Sequence, residues 1–110
     1  MSVFIGCKSI MDASGNASSV VNTSWTLHYV SPTYGAIKYK VKFKENNRLV
    51  NKHPNDKTYD NDFWYQSGIN IKMQFNNSYV TYNGEIVDNN LMKGTAINKK
   101  GETWSWTLTR

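Results

Sequence analysis

The sequence predicts an all-β protein, an antiparallel up-and-down meander of about eight strands. Many short runs alternate apolar and polar residues with a period of two, and clusters of Asn, Asp, Gly and Ser separate these runs. The last three runs, between residues 79 and 110, follow one another with tight turns between them. Because closure removes exposed sheet edges, we predict that the meander forms a small barrel, with a β-sandwich as the alternative.

The first half of the chain contains four predicted strands. Residues 3–8 form a short one, and the Ser, Asn and Gly residues that follow disfavour a helix and predict a loop. Strands are then predicted at 25–30, 36–44 and 48–50. The run 36–44 alternates most cleanly. Its predicted inward residues are Ile37, Tyr39, Val41 and Phe43, and its predicted outward residues are Lys38, Lys40, Lys42 and Lys44.

The second half begins with the longest polar stretch, residues 51–62, which predicts an exposed loop. Strands are predicted at 63–65, 69–75 and 79–86, and the last two at 91–97 and 103–110. The alternation assigns seven side chains of this half to the barrel interior: Ile69, Ile71, Met73, Phe75, Trp104, Trp106 and Leu108.

The length of 110 residues predicts one domain, with a strand and loop at 1–24 and the meander at 25–110. The single cysteine, Cys7, excludes an internal disulfide and indicates either a reducing compartment or, more commonly, an inert buried residue. We expect a cytoplasmic protein. No apolar run approaches the roughly 18 residues of a membrane-spanning helix, and residues 1–8 lack the basic segment of a signal peptide. No membrane association is therefore expected.

Few residues offer catalytic or metal-binding chemistry. The two histidines, His28 and His53, have no partner in a recognisable motif, and Cys and His are too few for a zinc site. The aspartates at 56–62 do not have the spacing of an EF-hand, and no phosphate-binding glycine loop occurs. We therefore predict a protein that is not an enzyme and holds no metal or cofactor.

The formal net charge of +5 predicts an acidic partner. The lysine row on strand 36–44, with Lys72 on a strand expected to be its neighbour, forms a basic face. The alternative interpretation is that these lysines keep the sheet surface soluble. Nucleic acid is not expected, because single-strand binders interleave aromatic and basic residues on one face, whereas Tyr39 and Phe43 point inward.

Residues in the first main strand and in the last three strands resemble those of a known family. Trp25 opens the first main strand and Arg110 ends the last one, and glycines 84, 94 and 101 accompany Trp104 and Trp106. This arrangement resembles the small bacterial lipocalin-like (calycin-type) β-barrel domains, in which the terminal arginine packs across the tryptophan as a clasp. The resemblance implies a carrier of a small apolar ligand in the barrel interior, for which Tyr39, Met73, Trp104 and Trp106 are the candidate contacts.

Two functional hypotheses follow. The first is a non-catalytic protein-binding module, with a bacterial immunity protein that neutralises a partner toxin as its best example. Its candidate binding residues lie in or beside loop 51–66 and on the basic face: Trp64, Tyr65, His53, Tyr59, Lys38, Lys40, Lys42 and Lys72. Because Phe63, Trp64 and Tyr65 are consecutive, at least one large ring must face outward, as interface hot spots do. The second is the lipocalin-like carrier, although inward rings are expected to leave little space for a ligand.

Overall fold

A computed structural model describes residues 17–52 and 61–110, and no helix occurs among them. It contains eight strands: β1 (Thr23–Ser31), β2 (Gly35–Phe43), β3 (Leu49–Asn51), β4 (Phe63–Ser67), β5 (Asn70–Phe75), β6 (Val80–Asp88), β7 (Leu91–Asn98) and β8 (Thr103–Thr109). The strand predicted at residues 3–8 lies outside the described residues.

All eight strands belong to one antiparallel sheet with the order β3-β2-β1-β8-β7-β6-β5-β4. Pairing of β1 with β8 joins the two ends of the meander. The remaining edges, β3 and β4, meet through a bridge between Arg48 and Phe63. Backbone hydrogen bonds from Leu49 N to Asp62 O (3.1 Å) and from Trp64 N to Asn47 O (3.0 Å) flank that bridge. The predicted barrel is therefore confirmed as nearly closed, and the sandwich alternative is wrong.

The interior contains the residues that period-two alternation predicts. On β2, Val41 and Phe43 are buried while all three lysines of the strand are exposed, and on β8 Trp106 and Leu108 are buried. Ile69 was predicted to face inward but is exposed. It follows Gly68, which has a φ of 59°, in the turn between β4 and β5, so it lies outside the alternating part of the strand.

One end of the barrel is closed by the segment that precedes β1. Val20 is fully buried there, and its carbonyl accepts a hydrogen bond from Thr23 N (3.2 Å). The neighbouring Trp25 is buried and donates from Nε1 to Thr23 Oγ1 (2.9 Å). The Arg110 guanidinium lies 5.2 Å from the centroid of the Trp25 ring. The predicted clasp between the two ends of the meander is therefore present, and a cation–π contact holds it.

The middle of the barrel is filled by one large ring placed over two glycines. Gly84 and Gly94 face each other across β6 and β7, and Gly94 also pairs with Trp106 on β8. A Cβ atom added to Gly84 would lie 2.6 Å from Trp106 Cζ2 and still closer to the carbonyl oxygen of Lys93. The absence of a side chain at Gly84 is thus what admits the buried Trp106 indole, whereas a Cβ atom at Gly94 would lie 2.5 Å from Gly84 Cα and would obstruct the β6 backbone.

Among the described residues, no helix is long and apolar enough to cross a membrane.

Candidate ligand-binding site

The barrel end opposite Val20 opens into a cavity of about 1000 Å³. The β1–β2, β5–β6 and β7–β8 turns lie around its mouth, since the cavity is lined by residues of all three. Seven of its lining residues are aromatic, and five of these form its inner wall: Tyr29, Tyr39, Phe75, Tyr82 and Trp104. The volume is at the upper end of the range typical of small-molecule sites.

The aromatic rings contact one another around the cavity. Tyr29 stacks on Trp104 with 5.9 Å between centroids and 28° between planes, and it meets Tyr39 edge-on at 6.3 Å. Tyr82 packs edge-on against Phe75 at 5.2 Å and against Trp104 at 6.0 Å. These spacings are those of favourable aromatic pairs, so each ring fixes the orientation of the next. The cavity wall is consequently preorganised.

Three tyrosine hydroxyls form a hydrogen-bonded group among the aromatic rings of this wall. The Tyr29 hydroxyl is hydrogen-bonded to those of Tyr39 and Tyr82, and Trp104 Nε1 donates to Tyr82 Oη (3.2 Å). Burial raises the pKa of Tyr39 and of Tyr82 well above the usual value near 10. Burial also raises the pKa of Tyr29, although its hydrogen bonds to the other two hydroxyls oppose that shift. All three phenols are therefore neutral at physiological pH.

A buried carboxylate supports one side of the cavity. Asp62 is buried, and its oxygens accept hydrogen bonds from Asn51 Nδ2 and from Asn76 N (2.9 Å). Asp62 thus ties β3 to the β5–β6 turn, and both Asn51 and Asn76 line the cavity. The polar stretch 51–62 predicts that Asp62 lies in an exposed loop. That prediction is wrong because the residue immediately precedes β4 and lies at the junction of β3 and β4.

The predicted ligand contacts divide into two groups. Tyr39 and Trp104 line the cavity, whereas Met73 and Trp106 are buried in the packed core and are not among the lining residues. Sequence reasoning did not select Tyr29 and Tyr82. The alternation on β1 and β6 signals that both face inward, but it does not distinguish a cavity wall from a filled core.

The predicted partner-binding residues do not form one surface. Tyr65 is 43% exposed and lies directly opposite the exposed Lys72, but Trp64 is only 6% exposed and donates from Nε1 to Lys44 O (2.7 Å). Trp64 therefore belongs to the core, because Trp64 rather than Phe63 and Tyr65 occupies the inward phase of β4. His53 and Tyr59 lie outside the described residues.

The basic face differs from its predicted composition. Lys38, Lys40 and Lys42 project outward in one row on β2, as expected. The expectation that Lys72 lies on a neighbouring strand is wrong, because β5 is separated from β2 by β3 and β4. Six strands nevertheless contain no Asp or Glu at all, namely β1, β2, β3, β4, β5 and β8. This part of the outer wall, which we call the cationic wall, carries lysines without neighbouring acids on its strands.

Within residues 17–52 and 61–110, no group of three or more His, Cys, Asp or Glu side chains is arranged to hold a metal ion. No protein-family model matches the sequence, and comparison with curated proteins and with solved structures also yields no match.

Proposed function

We propose that the protein is a non-catalytic carrier that binds a small, uncharged and largely apolar molecule in the aromatic cavity. The observation that supports this most directly is the open volume of about 1000 Å³ at one end of an otherwise packed barrel. The alternation predicts inward rings that leave little space for a ligand, whereas the barrel contains this cavity at its open end. The resemblance to lipocalin-like barrels, including the Trp25–Arg110 clasp, agrees with this proposal.

The cavity wall defines the chemistry of the ligand. The stacked Tyr29 and Trp104 rings and the edge-on Tyr82 provide flat, polarisable surfaces that favour aromatic or extended apolar groups. The neutral hydroxyls can exchange hydrogen bonds with one or two polar atoms of a ligand, but they offer no charge to pair with an ion. The charged lining residues, Lys38, Lys100 and Glu102, lie at the mouth and not among the stacked rings. We therefore propose a neutral ligand body with few polar atoms.

Binding of a neutral apolar dye tests the proposal. We expect N-phenyl-1-naphthylamine to bind at one saturable site with a dissociation constant on the order of 1–10 μM. Replacing Ile37 with tryptophan should abolish this binding, because Ile37 lines the cavity and a larger ring there would occupy it. Val50→Trp is the matched control, since Val50 faces outward on the adjacent strand β3.

Fluorescence titration with the dye distinguishes the outcomes. Loss of binding in Ile37→Trp together with unchanged binding in Val50→Trp would support the cavity as the site. Absence of dye binding to the folded wild-type protein, or equal binding by both variants, would contradict the proposal. Circular dichroism would verify that each variant is folded.

A protein-binding module, such as an immunity protein that inhibits a toxin, is the second candidate. The cationic wall favours it, because a surface with Lys38, Lys40 and Lys42 and no acids on its strands complements an acidic partner. The exposed Tyr65 beside Lys72 offers an aromatic contact on the same wall.

Charge reversal tests this second candidate. We expect tagged protein to retain one dominant acidic protein from its native host at low salt, and the triple variant Lys38→Glu, Lys40→Glu, Lys42→Glu to lose it. A control with Lys93, Lys99 and Lys100 changed to Glu reverses the same number of charges on β7 and the β7–β8 turn. Equal loss in both triple variants would indicate a response to net charge alone and would contradict a specific site on the cationic wall.

A further inference from the structure

We propose that the open end of the barrel docks onto an anionic lipid surface. The inference rests on the proposed carrier function, and it names the place where the apolar ligand enters and leaves the cavity. Its basis is a group of exposed apolar side chains and lysines around the cavity mouth, which we call the rim. Four members of the rim line the mouth, namely Tyr34, Tyr79, Lys38 and Lys100. The other three, Val30, Ile97 and Lys99, are exposed at the ends of β1 and β7 and in the β7–β8 turn beside it.

The apolar members of the rim lie at neighbouring strand ends. The strand order places the β7–β8 turn between the β1–β2 and β5–β6 turns. Tyr34, at the β1–β2 turn, is 81% exposed, and Val30 on the adjoining end of β1 is 66% exposed. Tyr79 and Ile97 are also exposed, and Tyr79 O accepts a hydrogen bond from Lys99 N (3.0 Å) that joins two of the turns. The rim therefore spans three neighbouring turns, two of which are joined by this hydrogen bond.

The charges at this end favour an anionic surface. Lys99 and Lys100 are exposed in the β7–β8 turn, and Lys38 lines the mouth from β2. The described residues of this end include two carboxylates. Asp62 is buried, and Glu102 accepts a hydrogen bond from Asn98 Nδ2 (2.9 Å). At the closed end the exposed Glu45 and Asp88 lie near Lys44, Arg48 and Arg110, so the exposed apolar residues of the rim, and not charge alone, favour the open end.

A lipid surface suits these residues better than a protein partner. Tyrosines prefer the boundary between apolar and aqueous phases, and lysines beside them are attracted to anionic headgroups. The rim lies at the mouth of the cavity. Contact with lipid would therefore let an apolar ligand move between the cavity and the lipid without crossing water. A peripheral contact of this kind needs no membrane-spanning segment, so the proposal departs from the sequence-based expectation of no membrane association, which rests on the lack of such a segment.

Sedimentation with vesicles tests the proposal on the ligand-free protein. We expect binding to vesicles of phosphatidylcholine and phosphatidylserine in a 7:3 ratio, and at least tenfold weaker binding to pure phosphatidylcholine. Lys100→Glu should lower binding to the anionic vesicles by roughly tenfold and Tyr34→Ser by roughly fivefold. Lys72→Glu and Tyr65→Ser are the matched controls, since both residues are exposed on the outer wall away from the rim.

Each result decides the question. Unchanged binding in the two control variants, together with loss in the two rim variants, would support docking through the open end. Absence of binding to anionic vesicles, or an equal loss in Lys72→Glu and Lys100→Glu, would overturn it. Dye binding measured without vesicles separates the two proposals: a protein that binds dye but not vesicles keeps its carrier function and loses the docking surface.

Discussion

Replacing Gly84 with alanine is expected to lower the free energy of unfolding by about 3 kcal/mol, the upper part of the usual cost of overpacking. The added methyl group would lie 2.6 Å from Trp106 Cζ2 and inside the contact distance of the Lys93 carbonyl oxygen. The first obstacle is a buried ring and the second is the backbone of the paired strand, so neither can move aside at low cost. Urea unfolding would measure the loss as a lower midpoint with an unchanged slope.

Thr95→Ala is the control for this substitution. Thr95 is exposed, lies on β7 next to Gly94 and pairs with Asn83. Its replacement therefore alters a side chain on the outer face of the same part of the sheet and leaves the interior unchanged. A change within about 0.5 kcal/mol is expected for it. If Gly84→Ala costs less than about 1 kcal/mol, the close packing of Trp106 over the two glycines is wrong.

Above pH 10, the free energy of unfolding is expected to fall by up to about 4 kcal/mol per pH unit. The cause is the raised pKa of Tyr29, Tyr39 and Tyr82 in the folded state. Below pH 10 these phenols are protonated in both states and the stabilisation is fully present. As the pH rises past 10, the unfolded chain releases up to three protons that the folded protein retains, and each proton contributes about 1.4 kcal/mol per pH unit.

Urea unfolding between pH 8 and pH 11.5, with absorbance at 295 nm as a measure of phenolate, would test this dependence. Tyr82→Phe should reduce the slope above pH 10 by about 1.4 kcal/mol per pH unit, because it removes one of the retained protons. The comparison of slopes is unaffected by any loss of stability that Tyr82→Phe causes at pH 7. Ionisation of all tyrosines in the folded protein near pH 10 would contradict the burial of the three hydroxyls.

The strands were predictable because each buries only one face. Alternation alone assigned Val41 and Phe43 to the interior of β2 and the lysines to its surface, and the structure confirms both. In a short strand it is harder to predict which side chains face the interior. Phe63, Trp64 and Tyr65 are all large and apolar, so their order contains no alternation, and the partner strands determine that Trp64 faces inward.

The cavity could not be predicted, because it depends on how the barrel closes. A list of inward rings gives their volume but not the width of the space around them. Trp106 occupies the middle of the barrel where Gly84 admits it, while Tyr29 and Trp104 stack along the wall at the open end. The separation of Lys72 from the β2 lysines has the same origin, since strand neighbours follow from closure and not from local pattern.

The indole N–H groups of the four tryptophans provide the most direct test of the ligand site. Trp104 lines the cavity, whereas Trp25 Nε1 donates to Thr23 and Trp64 Nε1 donates to Lys44 O, both toward the closed end. In two-dimensional ¹H–¹⁵N spectra, addition of the neutral dye should shift the Trp104 indole resonance strongly and leave those of Trp25 and Trp64 nearly unchanged. If the dye shifts Trp25 or Trp64 as much as Trp104, or shifts none of them, the aromatic cavity is not the binding site.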